Sequence, residues 1–296
     1  MPQRALELSA PAKINLYLGV HTQTDARGYH RVDTVMARLG LADRVRIEPA
    51  RELSVAMSPA IDLAPERNSA WRAARLLGEA VGRDPAVAIR IEKHIPLCAG
   101  LGGPSTDAAA VLRGLCELWD IDPLDRHVVE VARAIGADVP FFLGEGLAYL
   151  AGAGDVLAET FELPCAPAVV LVKPHECGVS APEAYRRFDE CPCAAMPLEP
   201  MLAALRARDT AGAIASVSNN LAPSACRIAP QISEVLAWLR GQAGVLVAEV
   251  SGSGSSSFAI CASTEAAAAV AEAADQRGWW SCATQMEKSG SIPIAG

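Results

Sequence analysis

The stretch IPLCAGLGGPSTDAAAVLRGL, residues 95 to 115, constrains this chain more than any other part of it. The residues just before it, AVAIRIEKH, read as a strand. After it, Ala108, Val111, Leu112, Leu115 and Trp119 recur at the spacing of one helix face. Between them, Gly100, Gly102 and Gly103 allow a tight reversal and a close backbone approach to a ligand. A strand, a glycine turn and a helix in this order present unpaired N–H groups and a positive dipole end at the turn. Ser105 or Thr106 is placed to cap the helix and to add a hydroxyl donor.

Two common phosphate fingerprints do not fit. A Walker A loop has Lys immediately before its Ser or Thr, where GLGGPST has Pro104. A G-x-G-x-x-G begun at Gly100 needs its third glycine at Ser105, and SGSGSSS and AGAGD fail in the same way. Taken alone, the turn reads equally well as an anion cradle or as a capped strand-to-helix turn.

Upstream, LELSAPAKINLYLGV, TVMARLGLADRVRIEPA and LSVAMS predict strands, and NSAWRAARLLGEAVG predicts a helix. Downstream, PLDRHVVEVARAIG predicts a helix closed at Gly136 by a left-handed cap. The second half predicts a strand in APAVVLVKP and helices over 181–189, 198–208 and 228–240. Strands GVLVAEVSG and SSSFAICAS, helix TEAAAAVAEAADQRG and a last strand WWSCATQME follow. Strands alternating with helices indicate an α+β chain with sheets packed on helices.

Composition narrows the function. With 51% apolar residues and a net charge of -8, the chain has a globular balance and no basic footprint for nucleic acid. No apolar run is long enough to span a membrane and the N-terminus carries no leader pattern, so a cytoplasmic protein is expected. Nine cysteines lack a C-x-x-C pair or a histidine cluster, and Cys191 and Cys193 alone lie close together; they read as reduced thiols rather than as zinc ligands.

Four segments, PAKINLYLGV, GLGGPSTDAAA, GADVPFF and SGSGSSSFA, stand in an order and spacing that resemble the GHMP kinases over nearly the whole chain. Within that superfamily, PAKINLYL, DARGYHRVDTVM, NSAWRAARLL and IGADVPFFL are most similar to members that phosphorylate the 2-hydroxyl of a methylerythritol carried on cytidine diphosphate. The resemblance implies an N-terminal ribosomal-protein-S5-like α/β domain, residues 1–155, and a C-terminal ferredoxin-like α+β domain, residues 156–296. ATP, with Mg²⁺, and a small-molecule acceptor would meet between them. It assigns no protein ligands to the metal and no oligomeric state.

The resemblance also implies roles for residues. Asp138 takes the hydroxyl proton or aligns the hydroxyl; Lys13 favours the alkoxide and neutralises transferring charge. Gly100, Leu101, Gly102, Gly103, Ser105 and Thr106 hold phosphates, while Asn68 and Lys93 match adenine-side contacts. Asn15, two residues from Lys13 and so on the same strand face, meets the acceptor, as do Gly252 and Gly254 of the third motif. Tyr29 and His30 hold the cytidine moiety, and Tyr185 covers the other face of the base. Pro104 and Thr106 depart from the family's usual Gly and Ser, and Pro104 withholds one backbone donor. Val250 stands for the usual Met. Two further readings stay open: another GHMP kinase acting on a related alcohol, and a non-catalytic nucleotide or metabolite binder.

Overall fold

The computed structural model describes residues 5–144, 146–175 and 177–287. Its first half is organised by a long antiparallel hairpin, β1 (Leu6–Thr24) on β2 (His30–Pro49), whose register shifts at three places. Strands β3 (Ser54–Ser58) and β4 (Val87–Glu92) extend the sheet on the β2 side. Between them α1 (Ser69–Val81) begins at Asn68, whose side chain accepts from the Ala70 amide, and ends at Gly82 with φ 67. Helices α2 (Gly103–Trp119), α3 (Arg126–Ile135) and α4 (Val139–Leu143) follow, and then the hairpin β5 (Leu147–Ala151) and β6 (Val156–Phe161) on the other part of β2.

The second half runs β7 (Ala168–Lys173), α5 (Ala181–Glu190), α6 (Glu199–Arg206), α7 (Thr210–Ala215), β8 (Ser218–Asn219), α8 (Ala222–Ile228) and α9 (Gln231–Arg240). It closes with β9 (Val245–Val250), β10 (Ser257–Cys261), α10 (Thr264–Gln276) and β11 (Trp280–Gln285). Its four-stranded sheet has the order β11-β7-β10-β9, every pair antiparallel. Counting the four strands along the chain, this is 4-1-3-2, the ferredoxin-like order.

Three apolar clusters tie the layers together. The inward side chains of the first sheet, Val45, Ile47, Ile89 and Ile91, pack on α1 and α2. The second sheet packs on α9 and α10 through Val170, Val172, Val235 and Val270. The third cluster joins the sheets' remaining faces, with Ile14, Val35 and Leu39 against Leu171, Phe258 and Ile260, and it takes in Ile95, Ala99 and Leu101 of the central turn. Each large side chain so buried contributes about 1.5–3 kcal/mol. The halves therefore close on each other across a dry interface, and the turn is fixed at its edge.

Sheet membership bears on the expected division at 155/156. That position falls in the β5–β6 hairpin, and β6 remains in the first sheet to Phe161. From the second half, β8 returns to pair in parallel with β1, and Met286 bridges Leu39. We therefore propose the division between Phe161 and Ala168. Gly136 is also corrected: its φ of 179 is extended, so α3 closes without a left-handed cap because the chain must run straight on towards α4. The β5–β6 hairpin and the short α7 and α8 lacked a periodic signal long enough to be read.

Candidate active site

Lys13 and Asn15 leave the same face of β1. The Lys13 amide donates to Leu101 O at 3.0 Å, which docks the strand on the central turn. Its ammonium is buried, donates to Asn15 Oδ1 at 2.7 Å and lies 3.6 Å from Asp138 Oδ2, a carboxylate left about one-third open with a side-chain exposure of 36%. Asp138 stands at the start of α4. At the other end of that helix, Arg38 of β2 donates to Phe142 O at 2.8 Å and to Gly144 O, so its cation meets the negative end of the helix. The fold thus holds Asp138 opposite Lys13 from two sides.

Two glycine turns meet beside this pair. Ser251 Oγ donates to Gly100 O at 3.0 Å, and the Ser256 amide donates to Ala99 O at 3.1 Å. Asn219 holds the second turn by donating to Val250 O and Gly252 O at 2.9 and 2.8 Å. A Cβ on Gly252 would stand 3.1 Å from Lys13 Nζ and 3.2 Å from Asn15 Oδ1. Glycine is required there because the turn closes directly over the ammonium. Gly254, at φ 80, continues the same turn.

At the central turn the Ser105 and Thr106 amides both donate to Gly102 O. Among the described residues, the amides of Gly100, Leu101, Gly102 and Gly103 donate to nothing, so four successive N–H groups stand ready for an anion. Helix α2 begins at Gly103 with Gly102 as its N-cap and no side-chain cap, which corrects the capping expectation for Ser105 and Thr106. Pro104 takes the second helical position. Ser105 is half-buried and within reach of a ligand. Thr106 is fully buried with its hydroxyl turned inward, so it adds no donor to the turn.

Lys93 and Asn68 are also occupied. The Lys93 ammonium lies between Asp43 and Asp107 Oδ2, at 2.6 Å from the latter, beneath Gly103. Asp43 in turn accepts from the amides of His94 and Ile95, pinning the approach to the turn. Burial pushes the Asp107 carboxyl up to about 7; the charge of Lys93 opposes this and that of Asp43 adds to it. Asn68 caps α1 and donates to Met57 Sδ. Both residues support the turn and its flanking helix from inside.

Aromatic side chains gather at the tip of the β1–β2 hairpin. Tyr29 is 53% exposed, with the Arg27 guanidinium over its ring at 5.1 Å. Arg27 is held by Asp155, a buried carboxylate that also takes Arg133. His30 stacks on Tyr185 with centroids 5.3 Å apart and meets Phe188 edge-on. A base between two rings needs about 7 Å, twice an ordinary contact distance. The His30 and Tyr185 rings therefore touch with no base between them, and their stack is a wall. Burial raises the Tyr185 phenol above its ordinary range, and the charge of Asp138 adds to this.

Sequence reasoning missed Thr34, Asn219, Ser251, Asp43 and Asp107, which brace the motif residues. Thr34, Asp107 and Ser251 stand inside the motif segments, yet their bracing contacts, like those of Asp43 and Asn219, acquire meaning only through strand register and turn docking. A cavity of about 820 Å³ lies on the outer face of the first sheet, lined by Arg44, Arg46, Arg90 and Glu92 among others; no residue of the Lys13–Asp138 pair or of either turn lines it. A buried ammonium facing a one-third-open carboxylate, set beside four free amides, outweighs that volume as a place for chemistry.

The chain matches the GHMP kinases N terminal domain over residues 68–146 and the GHMP kinases C terminal domain over 201–278. It is 37% identical over 288 residues to the 4-diphosphocytidyl-2-C-methyl-D-erythritol kinase of Paramagnetospirillum magneticum, covering 95% of this chain and 99% of that one. A crystal structure of 4-(cytidine 5'-diphospho)-2C-methyl-D-erythritol kinase superposes with a TM-score of 0.76 at 35% identity, over 96% of this chain and 100% of the other. Homoserine kinase from Cytophaga hutchinsonii shares the fold at a TM-score of 0.74 and 17% identity, over 96% of this chain and 95% of its own.

Proposed function

Since the chain belongs to the 4-diphosphocytidyl-2-C-methyl-D-erythritol kinases of the GHMP superfamily, we propose that it moves the γ-phosphoryl group of ATP to the 2-hydroxyl of that cytidine-linked alcohol through Lys13 and Asp138. The observation that carries the residue assignment is the 3.6 Å pair at the meeting point of two glycine turns. Asp138 accepts the hydroxyl proton as the O–P bond forms, and the bond to ADP breaks with its electrons leaving on the β-phosphate oxygen. Lys13, fixed by Asn15, balances charge on the attacking oxygen.

The amides of residues 100–103 and the Ser105 hydroxyl suit the ATP phosphates. Among the described residues no three His, Cys, Asp or Glu side chains converge as a metal site. The donors present fit Mg²⁺ carried in on ATP, which keeps water and phosphate ligands and needs only one or two protein oxygens; the Ser105 hydroxyl is the candidate, and the ion would neutralise phosphate charge. Gly252 and Gly254 close over the reacting groups. Among the described residues no helix is long and apolar enough to cross a membrane.

On this reading the base takes the open face of Tyr29, opposite Arg27, with His30 and Tyr185 as the wall beside it. Tyr29→Ala is expected to lower kcat/KM for the cytidine-diphosphate conjugate at least about tenfold, on the scale of one lost stacking contact, and to leave ATP affinity unchanged. Kinetics against free methylerythritol 4-phosphate, mevalonate, homoserine and galactose test the acceptor. Equal efficiency on the free 4-phosphate would remove the cytidine reading.

Pro104 gives a second test, on the nucleotide side. Pro104→Gly adds a fifth amide to the row of four and should tighten binding of a non-hydrolysable ATP analogue by about 1 kcal/mol, near fivefold in Kd. Calorimetry reads this directly. Weaker binding would mean that the fixed φ of Pro104 shapes the turn more than its missing donor harms it.

A further inference from the structure

Asn15 touches Lys13, and an amide can face a cation with either end. Only one is useful: the oxygen attracts an ammonium, whereas the NH₂ repels it and has nothing to accept. The local network fixes the choice. Thr34 Oγ1 lies 2.8 Å from the Tyr17 carbonyl, which can only accept, so the hydroxyl proton is committed to it. The hydroxyl then accepts from Asn15 Nδ2 at 2.9 Å. That contact turns Asn15 Oδ1 towards Lys13 Nζ at 2.7 Å. Thr34, Asn15 and Lys13 are 2–3% exposed, so water does not compete for these bonds.

Register shows why Thr34 can do this. Between Asn15 and Tyr17 the β1–β2 pairing slips, and Leu18 faces Thr34 while Asn15 faces Met36. The irregularity brings Thr34 beneath both the Asn15 amide and the Tyr17 carbonyl, contacts that an unbroken ladder keeps further apart. A side chain without a hydroxyl leaves the carbonyl and the amide unpaired in a dry site, and the amide is then free to turn.

From this polarity we propose that Thr34 is a positioning residue for phosphoryl transfer, acting through Asn15 to hold the Lys13 ammonium towards Asp138. The inference rests on the assignment of Lys13 and Asp138 above. It predicts that Thr34→Val, close to threonine in shape, lowers kcat about tenfold with the KM for ATP unchanged, the effect of one hydrogen bond to a charged group. Thr34→Ser restores kcat to within about twofold, since the hydroxyl alone is required. In an Asn15→Ala background the same Thr34→Val change costs less than about twofold, because its route to Lys13 is already cut.

Steady-state kinetics on the parent, the two Thr34 variants, Asn15→Ala and the double variant, with melting temperatures measured alongside, decide the matter. Equal losses from Thr34→Val with and without Asn15, or no rescue by serine, would overturn the relay and leave a purely structural threonine. If Thr34→Val does not fold, Thr34→Ala carries the same comparison without setting a methyl against the Tyr17 carbonyl. Lys13→Met separates the two levels. Full activity in that variant removes the catalytic pair itself, whereas an inactive Lys13→Met beside a fully active Thr34→Val removes only the relay.

Discussion

Asp138→Asn is expected to lower kcat by about 10²–10⁴-fold, the usual range for a lost general base, while ATP binds as it does to the parent. The substitution keeps the size and polarity of the side chain and removes its capacity to take a proton as a carboxylate. Asp138 lies 3.6 Å from Lys13, so the variant also leaves a buried ammonium facing an amide instead of an anion. Phosphoryl transfer with a loose transition state asks less of a base than attack on a carbonyl does, which favours the lower end of the range. The turn proposed for the ATP phosphates offers backbone amides that do not donate to Asp138, so calorimetry with an ATP analogue separates binding from turnover. Activity within about threefold of the parent, well below the usual contribution of a general base, would take Asp138 out of the mechanism.

The sequence disclosed those parts of the site that a local motif encodes. Strand, turn and helix around Gly100–Thr106 lie where periodicity put them, and the strand-face argument paired Lys13 with Asn15. It did not disclose which way a motif residue turns. Thr106 carries the same hydroxyl as a phosphate donor would, yet its place on α2 directs it inward. Lys93 stands at a strand end, where a lysine ordinarily reaches solvent, and only the folding together of β2 and α2 supplies Asp43 and Asp107 to bury it. His30 and Tyr185 are 155 residues apart in the chain, and no spacing rule foretells that their rings stack.

The same limit applies to the docking of the two glycine turns, and there the structure makes its most severe prediction. Gly100 has φ 73, and a Cβ built on it would lie 2.1 Å from Ser251 O and 2.9 Å from Gly254 O. Both neighbours are backbone atoms and cannot swing aside as a long side chain can. Gly100→Ala therefore combines a left-handed penalty of about 1–2 kcal/mol with an overpacking cost of about 1–3 kcal/mol. The structure can relieve the clash only by parting the turns, which lifts Gly252 away from Lys13 and Asn15. A misplacement of that kind costs on the order of 10²-fold in catalysis, so kcat/KM and melting temperature should fall together. Gly82→Ala is the control: its φ of 67 imposes a similar backbone penalty, but nothing lies within 4 Å of the added methyl. It should lose stability alone and keep full activity. If Gly100→Ala loses no more stability and no more activity than Gly82→Ala, the two turns are not held together by contact at Gly100, and the closed arrangement over Lys13 has another cause.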